Sequence, residues 1–214
     1  MILKNYSQVK NVIFDFGGVI LDIDYNKTEL ALQKLMHDKS HAGFAQKEQS
    51  GLFDDIETGK ISKDEFRNGL RKLCGNLEVL DGDLDKAWNA LLGGIIPGAL
   101  DVVKTVGKSR RVFLLSNTNA IHLEHIYAGI ENELASVEEF EGAFEKVYFS
   151  HLMGLRKPHV EIFEQVMKEN DLGAEHTLFI DDSIQHIEGA KKLGLHTHFL
   201  EGDLADLDWL IDSV

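Results

Sequence analysis

Five short runs of apolar, β-branched and aromatic residues punctuate the chain: VIFDF (12–16), RVFLLSN (111–117), KVYFS (146–150), TLFID (177–181) and HTHFL (196–200). Most of them lack the polar alternation of a half-exposed strand, which predicts burial on both faces, as in a parallel sheet. Between them lie segments of helical period, over roughly 98–107, 119–128, 159–169 and 184–193. Strands alternating with helices predict an α/β layered fold. Right-handed crossovers then bring every strand's C-terminal end to one edge of the sheet, where ligands of such folds bind.

The stretch from 25 to 95 breaks this rhythm and offers no convincing strand. Its periodicity predicts helices near 27–37, 62–73 and 83–92, with a weaker one near 41–53. Ser62-Lys63-Asp64-Glu65 reads as a capping box, with Phe66, Leu70 and Leu73 as the apolar stripe behind it. Pro97-Gly98 then marks the return to the α/β pattern, with Pro97 in a helix-starting position. The expected organisation is a Rossmann-like core over 1–24 and 96–214. An all-helical cap over 25–95 is inserted after the first strand, above the sheet's C-terminal edge. Phe53 and Trp88 are expected to fill the cap's own core.

A chain of 214 residues can bury a full core as one domain, or as one domain carrying an insertion. Its longest apolar runs fall short of the roughly 18–20 residues that span a bilayer. The stretch MILKNYSQVK lacks the pattern of a secretory signal. A single cysteine, Cys74, excludes an intramolecular disulfide and suits a reducing cytoplasm. The net charge of −14, with no cluster of Lys and Arg, argues against a nucleic-acid partner. An anionic ligand would need one prepared pocket with a local cation and oriented N–H groups. Nothing in the pattern specifies an oligomeric state.

Four polar features fall at strand ends or just beyond. Asp15 ends the first run, Ser116-Asn117-Thr118-Asn119 the second, and Asp181-Asp182 the fourth, while Arg156-Lys157-Pro158 follows the third. Each alone reads as an ordinary cap, turn or helix entrance. Together, in a parallel sheet, they converge on one small volume. Hard oxygen ligands such as Asp15 and Asp181, with a backbone carbonyl and waters, suit Mg2+. The Ser116 hydroxyl and neighbouring N–H groups suit phosphate oxygens. Lys157 would screen Asp15 from an incoming phosphate, so that Asp15 could attack phosphorus and form an aspartyl-phosphate.

These residues resemble the haloacid dehalogenase-like hydrolase superfamily, whose four ordered motifs match "FDFGGV", "LLSNTN", "RKP" and "FIDDS" across nearly the whole chain. "FDFGGVILDID", "IETGKIS" and "FIDDSIQHIEGAKKLG" are similar to its helical-cap branch. That branch includes α-D-glucose-1-phosphate phosphatases and the N-terminal phosphatase domain of soluble epoxide hydrolase. The resemblance implies a Mg2+-dependent phosphatase of a small phosphorylated metabolite, a sugar phosphate among the candidates. Asp15 and Lys157 would be catalytic. Gly18, Ser116, Asn117 and Lys157 would hold the phosphate. Asp15, the Gly17 carbonyl, Asp181 and Asp182 would hold the metal, and Asp22 matches a further family position.

Two positions depart from the pattern. His186 stands where many members carry Asn. Gly17 stands where phosphatases of the superfamily usually place a second Asp, which protonates the leaving group and later activates water. Glycine keeps the carbonyl and lacks the acid–base group, worth about 10²–10⁴ in rate. Two other readings therefore stand beside the phosphatase: a binding or regulatory module without turnover, and a metal-independent dehalogenase, against which the Asp181-Asp182 pair counts. Among the remaining polar residues, Asp24, Tyr25 and Asn26 are placed to meet substrate. His122 and His125 are expected on a solvated helix face, or loosely at the pocket mouth. His196 and His198 are expected to be structural.

Overall fold

The computed structural model describes residues 8–36, 50–134, 136–207 and 209–210. Five parallel strands form the main sheet: β1 (Asn11–Phe14), β4 (Arg111–Ser116), β5 (Lys146–Phe149), β6 (Thr177–Asp181) and β7 (His196–Phe199). Their order is β5-β4-β1-β6-β7, with each partner running parallel. The first strand is thus central, and all four of its residues are buried. Val12 and Phe14 project into one core layer and Ile13 into the other, the two-residue alternation of a strand covered on both sides.

Helices α5 (Ala99–Val106), α6 (Ala120–Glu133), α9 (Val160–Glu169) and α10 (Ile184–Lys191) coincide with the expected helical segments. Short helices α7 (Val137–Glu141) and α8 (Ser150–Met153) were not legible, being too brief to show a period. Pro97 lies one residue before the N-cap of α5, Gly98, which takes a left-handed φ of 79°. It therefore precedes the helix rather than starting it.

The intervening segment carries α1 (Tyr25–Leu35), α2 (Ser50–Glu57), α3 (Lys63–Leu73) and α4 (Asp81–Trp88). Most of the helix expected near 41–53 lies outside the described residues. The expected helix over 83–92 instead becomes α4, a 3-10 turn over Asn89–Leu91, and a strand, β3 (Leu92–Ile95). That strand corrects the all-helical expectation. It pairs antiparallel with β2 (Leu21–Ile23), and its LGGI sequence hides it, because two glycines in four residues carry little strand preference. The capping box of α3 is formed: the Ser62 N–H donates to Glu65 Oε2 at 2.8 Å. The Glu65 N–H donates to Ser62 Oγ at 3.2 Å. Phe66 and Leu70 are fully buried behind it, whereas Leu73 is exposed. Phe53, Phe66 and Trp88 gather with Leu32, Leu84 and Ile121 in a third cluster, separate from the two layers of the sheet. The Phe53 and Trp88 rings stack at 5.1 Å.

Candidate active site

Every strand of the main sheet points its C-terminal end the same way, so β1, β4 and β6 deliver Asp15, Ser116 and Asp181 to a common edge. The ladder runs one residue past β1, with the Asp15 N–H donating to the Ile180 carbonyl at 2.9 Å. This holds the two carboxylate-bearing chain ends side by side. Lys157, from the loop between α8 and α9, lies between the carboxylates. Its Nζ is 2.6 Å from Asp15 Oδ1 and 2.8 Å from Asp181 Oδ2, and the residue is fully buried. A buried ammonium needs such partners, since an unpaired one would lose its proton.

The lysine is positioned by Asn117. The Lys157 N–H donates to Asn117 Oδ1, and Asn117 Nδ2 donates to the Lys157 carbonyl, both at 2.9 Å. The Asn117 side chain is therefore committed to the lysine loop, while the residue still lines the cavity. Ser116 lines the cavity, and its hydroxyl has a long 3.5 Å contact with the Asn117 carbonyl.

Asp181 is closely supported. Its Oδ1 accepts from the Ser183 N–H at 2.7 Å, and His186 Nδ1 lies 3.0 Å from both carboxylate oxygens. His186 thus buttresses the motif-four aspartate, the role left open by its departure from Asn. Burial pushes Asp181 up, but Lys157 and His186 outweigh it and hold the carboxyl below the ordinary range. For Asp15 the balance reverses: burial and the charge of Asp181 raise it beyond what Lys157 and the Phe16 N–H return. Asp182, at the rim, is also raised by burial and by Asp181.

Three carboxylates against one buried ammonium leave an excess of negative charge at a hard, oxygen-rich centre. That donor set fits a divalent cation such as Mg2+. Ligand atoms of Asp15, Asp181 and His186 lie within 4.8 Å of one another.

Gly17 and Gly18 act differently from one another. Gly17 lines the cavity, and a β-carbon there would meet Ile23 Cγ1 at 3.1 Å, a contact relieved by a small shift. Gly18 adopts φ 74°, and a β-carbon there would collide with the Asp182 carboxylate. Its N–H donates to the Leu21 carbonyl at 2.8 Å. The expected phosphate contact through Gly18 is thus replaced by a turn that lets Asp182 approach. Gly18→Ala is expected to cost about 1–2 kcal/mol for the left-handed backbone alone. It should also raise the Mg2+ concentration needed for half-maximal activity by displacing Asp182, as a metal titration beside a thermal melt would show.

Above these residues opens a cavity of about 360 Å³. Asp15, Ser116 and Asn117 give it polar lining, with Asp182 at the rim, while Leu21, Ile23, Trp88 and Leu91 supply apolar wall. Tyr25 stands at the rim of the cavity, and Asp24 caps α1 by accepting from the Asn26 N–H. Asp22 lies away from this centre, in a separate hollow with Pro97 and Asp203.

His122 corrects the expectation of a solvated helix face. It is 7% exposed, stacks on Trp88 at 4.7 Å, places Nδ1 2.8 Å from Asn89 Oδ1, and lines the cavity. Burial pushes its pKa down to about 3. Because the fold favours the neutral ring, this contribution to stability is complete above the ordinary value of 6.5 and is lost as the pH falls toward 3. Between about pH 7 and pH 5 it should remove about 2 kcal/mol. Urea unfolding of the protein and of His122→Gln should show that much less pH dependence in the variant. His196 and His198 are, by contrast, tied to the Glu175 carbonyl and the Trp209 ring, outside this site.

In the sequence Arg156 stands out only as a neighbour of Lys157, and Glu57 only as part of "IETGKIS". Both line the cavity. Arg156 pairs with Asp54 and approaches Glu57 at 2.9 Å, joining α2 to the lysine loop.

This constellation on a parallel α/β sheet is that of a hydrolase with carboxylates gathered at the strand ends. The chain belongs to the haloacid dehalogenase-like hydrolase family, whose profile matches residues 9–194. It is 35% identical over 189 residues to a D-ribitol-5-phosphate phosphatase of Bacteroides thetaiotaomicron, covering 88% of this chain and 90% of the relative. Among solved structures it is similar to a HAD-family enzyme of the same organism in complex with magnesium and inorganic phosphate. That match has a TM-score of 0.79 at 33% identity and covers 94% of this chain and 97% of the other. A HAD-like hydrolase of Porphyromonas gingivalis matches with a TM-score of 0.73 at 29% identity, covering 89% and 90%. Among the described residues, no helix is long and apolar enough to cross a membrane.

Proposed function

We propose that this protein is a Mg2+-dependent phosphatase of a small phosphorylated metabolite, a sugar or polyol phosphate, with Asp15 as nucleophile and Lys157 as its charge partner. The observation that carries this reading is the buried Asp15–Lys157–Asp181 chain at the floor of a cavity large enough for such a molecule. The D-ribitol-5-phosphate phosphatase relative supports the polyol class. In this reading residues 25–95 are the cap over a core of 1–24 and 96–214, and the cavity lies where they meet. Its modest size favours small molecules. A single, buried cysteine, Cys74, suits a cytoplasmic setting.

Asp15, Asp181, Asp182 and the Gly17 carbonyl would hold Mg2+, which when bound offsets the carboxylate charge and draws electron density from a phosphate oxygen. Ser116 and the adjoining N–H groups orient the phosphate. Lys157, held rigid through Asn117, keeps the Asp15 oxygen aimed at phosphorus and offsets charge in the transition state. Asp15 attacks, the ester bond breaks, and water then cleaves the aspartyl-phosphate.

Phosphate release from a panel of sugar and polyol phosphates, with Mg2+ and with EDTA, tests the reading. Turnover of at least one member that is lost in EDTA is the expected result. Mg2+ binding without turnover across the panel would instead favour a non-turnover module, the reading that Gly17 motivates.

A further inference from the structure

Gly17 leaves the phosphatase without the side chain that would protonate a leaving alcohol, so that proton must come from elsewhere in the cavity. The titratable groups lining the cavity narrow the choice. Asp15 is the nucleophile and Asp182 belongs to the metal group. His186 directs Nδ1 to Asp181. His122 has Nδ1 against Asn89 and stays neutral until about pH 3, so it carries no spare proton near neutrality. Arg156 does not release a proton in this range. Tyr25 stands on the exposed rim, and its phenol holds its proton throughout the neutral range, so it cannot accept one from water.

Glu57 remains. It is the last residue of α2 and lines the same cavity as Asp15. Its side chain is 18% exposed, and its Oε2 is enclosed, 2.9 Å from Arg156 Nη2, but without a hydrogen bond. Arg156 immediately precedes Lys157, whose Nζ contacts the nucleophile. The carboxyl is therefore tied to the segment that positions Asp15. Just beyond it, Gly59 has φ 65°, and a β-carbon there would collide with the His151 carbonyl, so the end of α2 sits directly against α8.

We propose that Glu57 is the acid–base residue of this enzyme, supplying across the cavity what Gly17 lacks. The proposal rests on the phosphatase reading above. In the first half-reaction an Asp15 oxygen bonds to phosphorus as the phosphorus–oxygen ester bond breaks. The electron pair goes to the ester oxygen, which takes the Glu57 proton and leaves as the alcohol. In the second, the Glu57 carboxylate takes a proton from water as the water oxygen bonds to phosphorus. The bond to Asp15 breaks, returning its electron pair to the carboxylate, and inorganic phosphate leaves. Burial, opposed by the charge of Lys157, pushes the Glu57 carboxyl up to about 7, which suits a group that must donate and then accept a proton at neutral pH.

The test compares the wild type, Glu57→Gln, Glu57→Asp and Asp15→Asn with Mg2+, on D-ribitol 5-phosphate and on 4-nitrophenyl phosphate, whose phenolate leaves without a proton. Glu57→Gln should slow phosphorylation of Asp15 by the ribitol ester about 10²–10⁴-fold and by the nitrophenyl ester less than about fivefold. It should also slow hydrolysis of the phosphoenzyme, so that nitrophenolate appears in a burst equal to the enzyme present. Glu57→Asp, retaining a carboxyl one methylene further away, should fall between the two proteins. Equal losses on both esters, or none on either, would overturn the assignment and leave Glu57 as a partner of Arg156. Asp15→Asn as active as the wild type, or a wild type inert toward both esters and toward the whole sugar- and polyol-phosphate panel, would instead discard the phosphatase reading itself.

Discussion

Asp15→Asn is expected to lower phosphate release by at least about 10⁴-fold, the scale of losing a nucleophile. The amide has the shape of the carboxylate but no charged oxygen to attack with. The fold should survive the change well. Asp15 Oδ1 accepts from the Phe16 N–H at 2.6 Å and faces Lys157 at 2.6 Å, and an amide oxygen can keep both contacts. Burial and the neighbouring Asp181 already disfavour the Asp15 charge, so a neutral replacement relieves repulsion. A melting temperature at or above that of the wild type, beside an inactive protein, is the expected pair of measurements. Retained turnover in the variant would remove Asp15 from the chemistry.

Lys157→Met should be the more damaging change, because it strikes stability and activity together. Methionine fills similar space but leaves Asp15 and Asp181 facing one another without the ammonium that reaches both. Removing one partner of a buried ion pair costs about 3–5 kcal/mol, most of it the penalty of the charges left behind. In the wild type, Asp181 is held low by Lys157 and His186 against its burial. It stabilises the fold above its unfolded value of 3.8, and that contribution is lost as the pH falls through its depressed folded value. In the variant the sign reverses. Both carboxyls are raised above their unfolded values, so acid protonates them in the folded state first and the deficit shrinks. Urea unfolding at about pH 7 and pH 5 should therefore show the gap between the two proteins narrowing on acidification. A gap of constant size would mean that the lysine acts by packing against Phe179 rather than by charge.

The parts of the site that were legible in the sequence share one property: each depends on its own neighbours along the chain. VIFDF reads as a buried strand because its burial is continuous, and the next carboxylate then falls at the strand end by counting. TLFIDD reads the same way. The two departures, Gly17 and His186, were visible as residue types, but only His186 acquired a role from its surroundings, as the support beneath Asp181.

The misread parts depend on contacts between distant positions. His122 and His125 are three apart on α6 and look alike in sequence. Trp88 and Asn89, 33 or more positions earlier, bury the first, while the second stays exposed. Gly18 offered an N–H for phosphate until Leu21 folded back to accept it. The Asn117 side chain, in sequence one of a run of turn residues, is claimed by the loop forty positions on. The strand over Leu92–Ile95 exists because Leu21–Ile23 is there to pair with it, and its own residues carry little strand preference.

By itself, then, the sequence determined the five strands of the main sheet, the order of the motifs and the carboxylates they carry, since local burial and position along a strand suffice for these. Tertiary structure alone decided which side chains share the cavity: the placement of Glu57 and His122 over the strand ends, and Lys157 between two aspartates. Such placement is set by how helices and loops from separate parts of the chain pack against one another, a matter of contact between faces that no local pattern encodes.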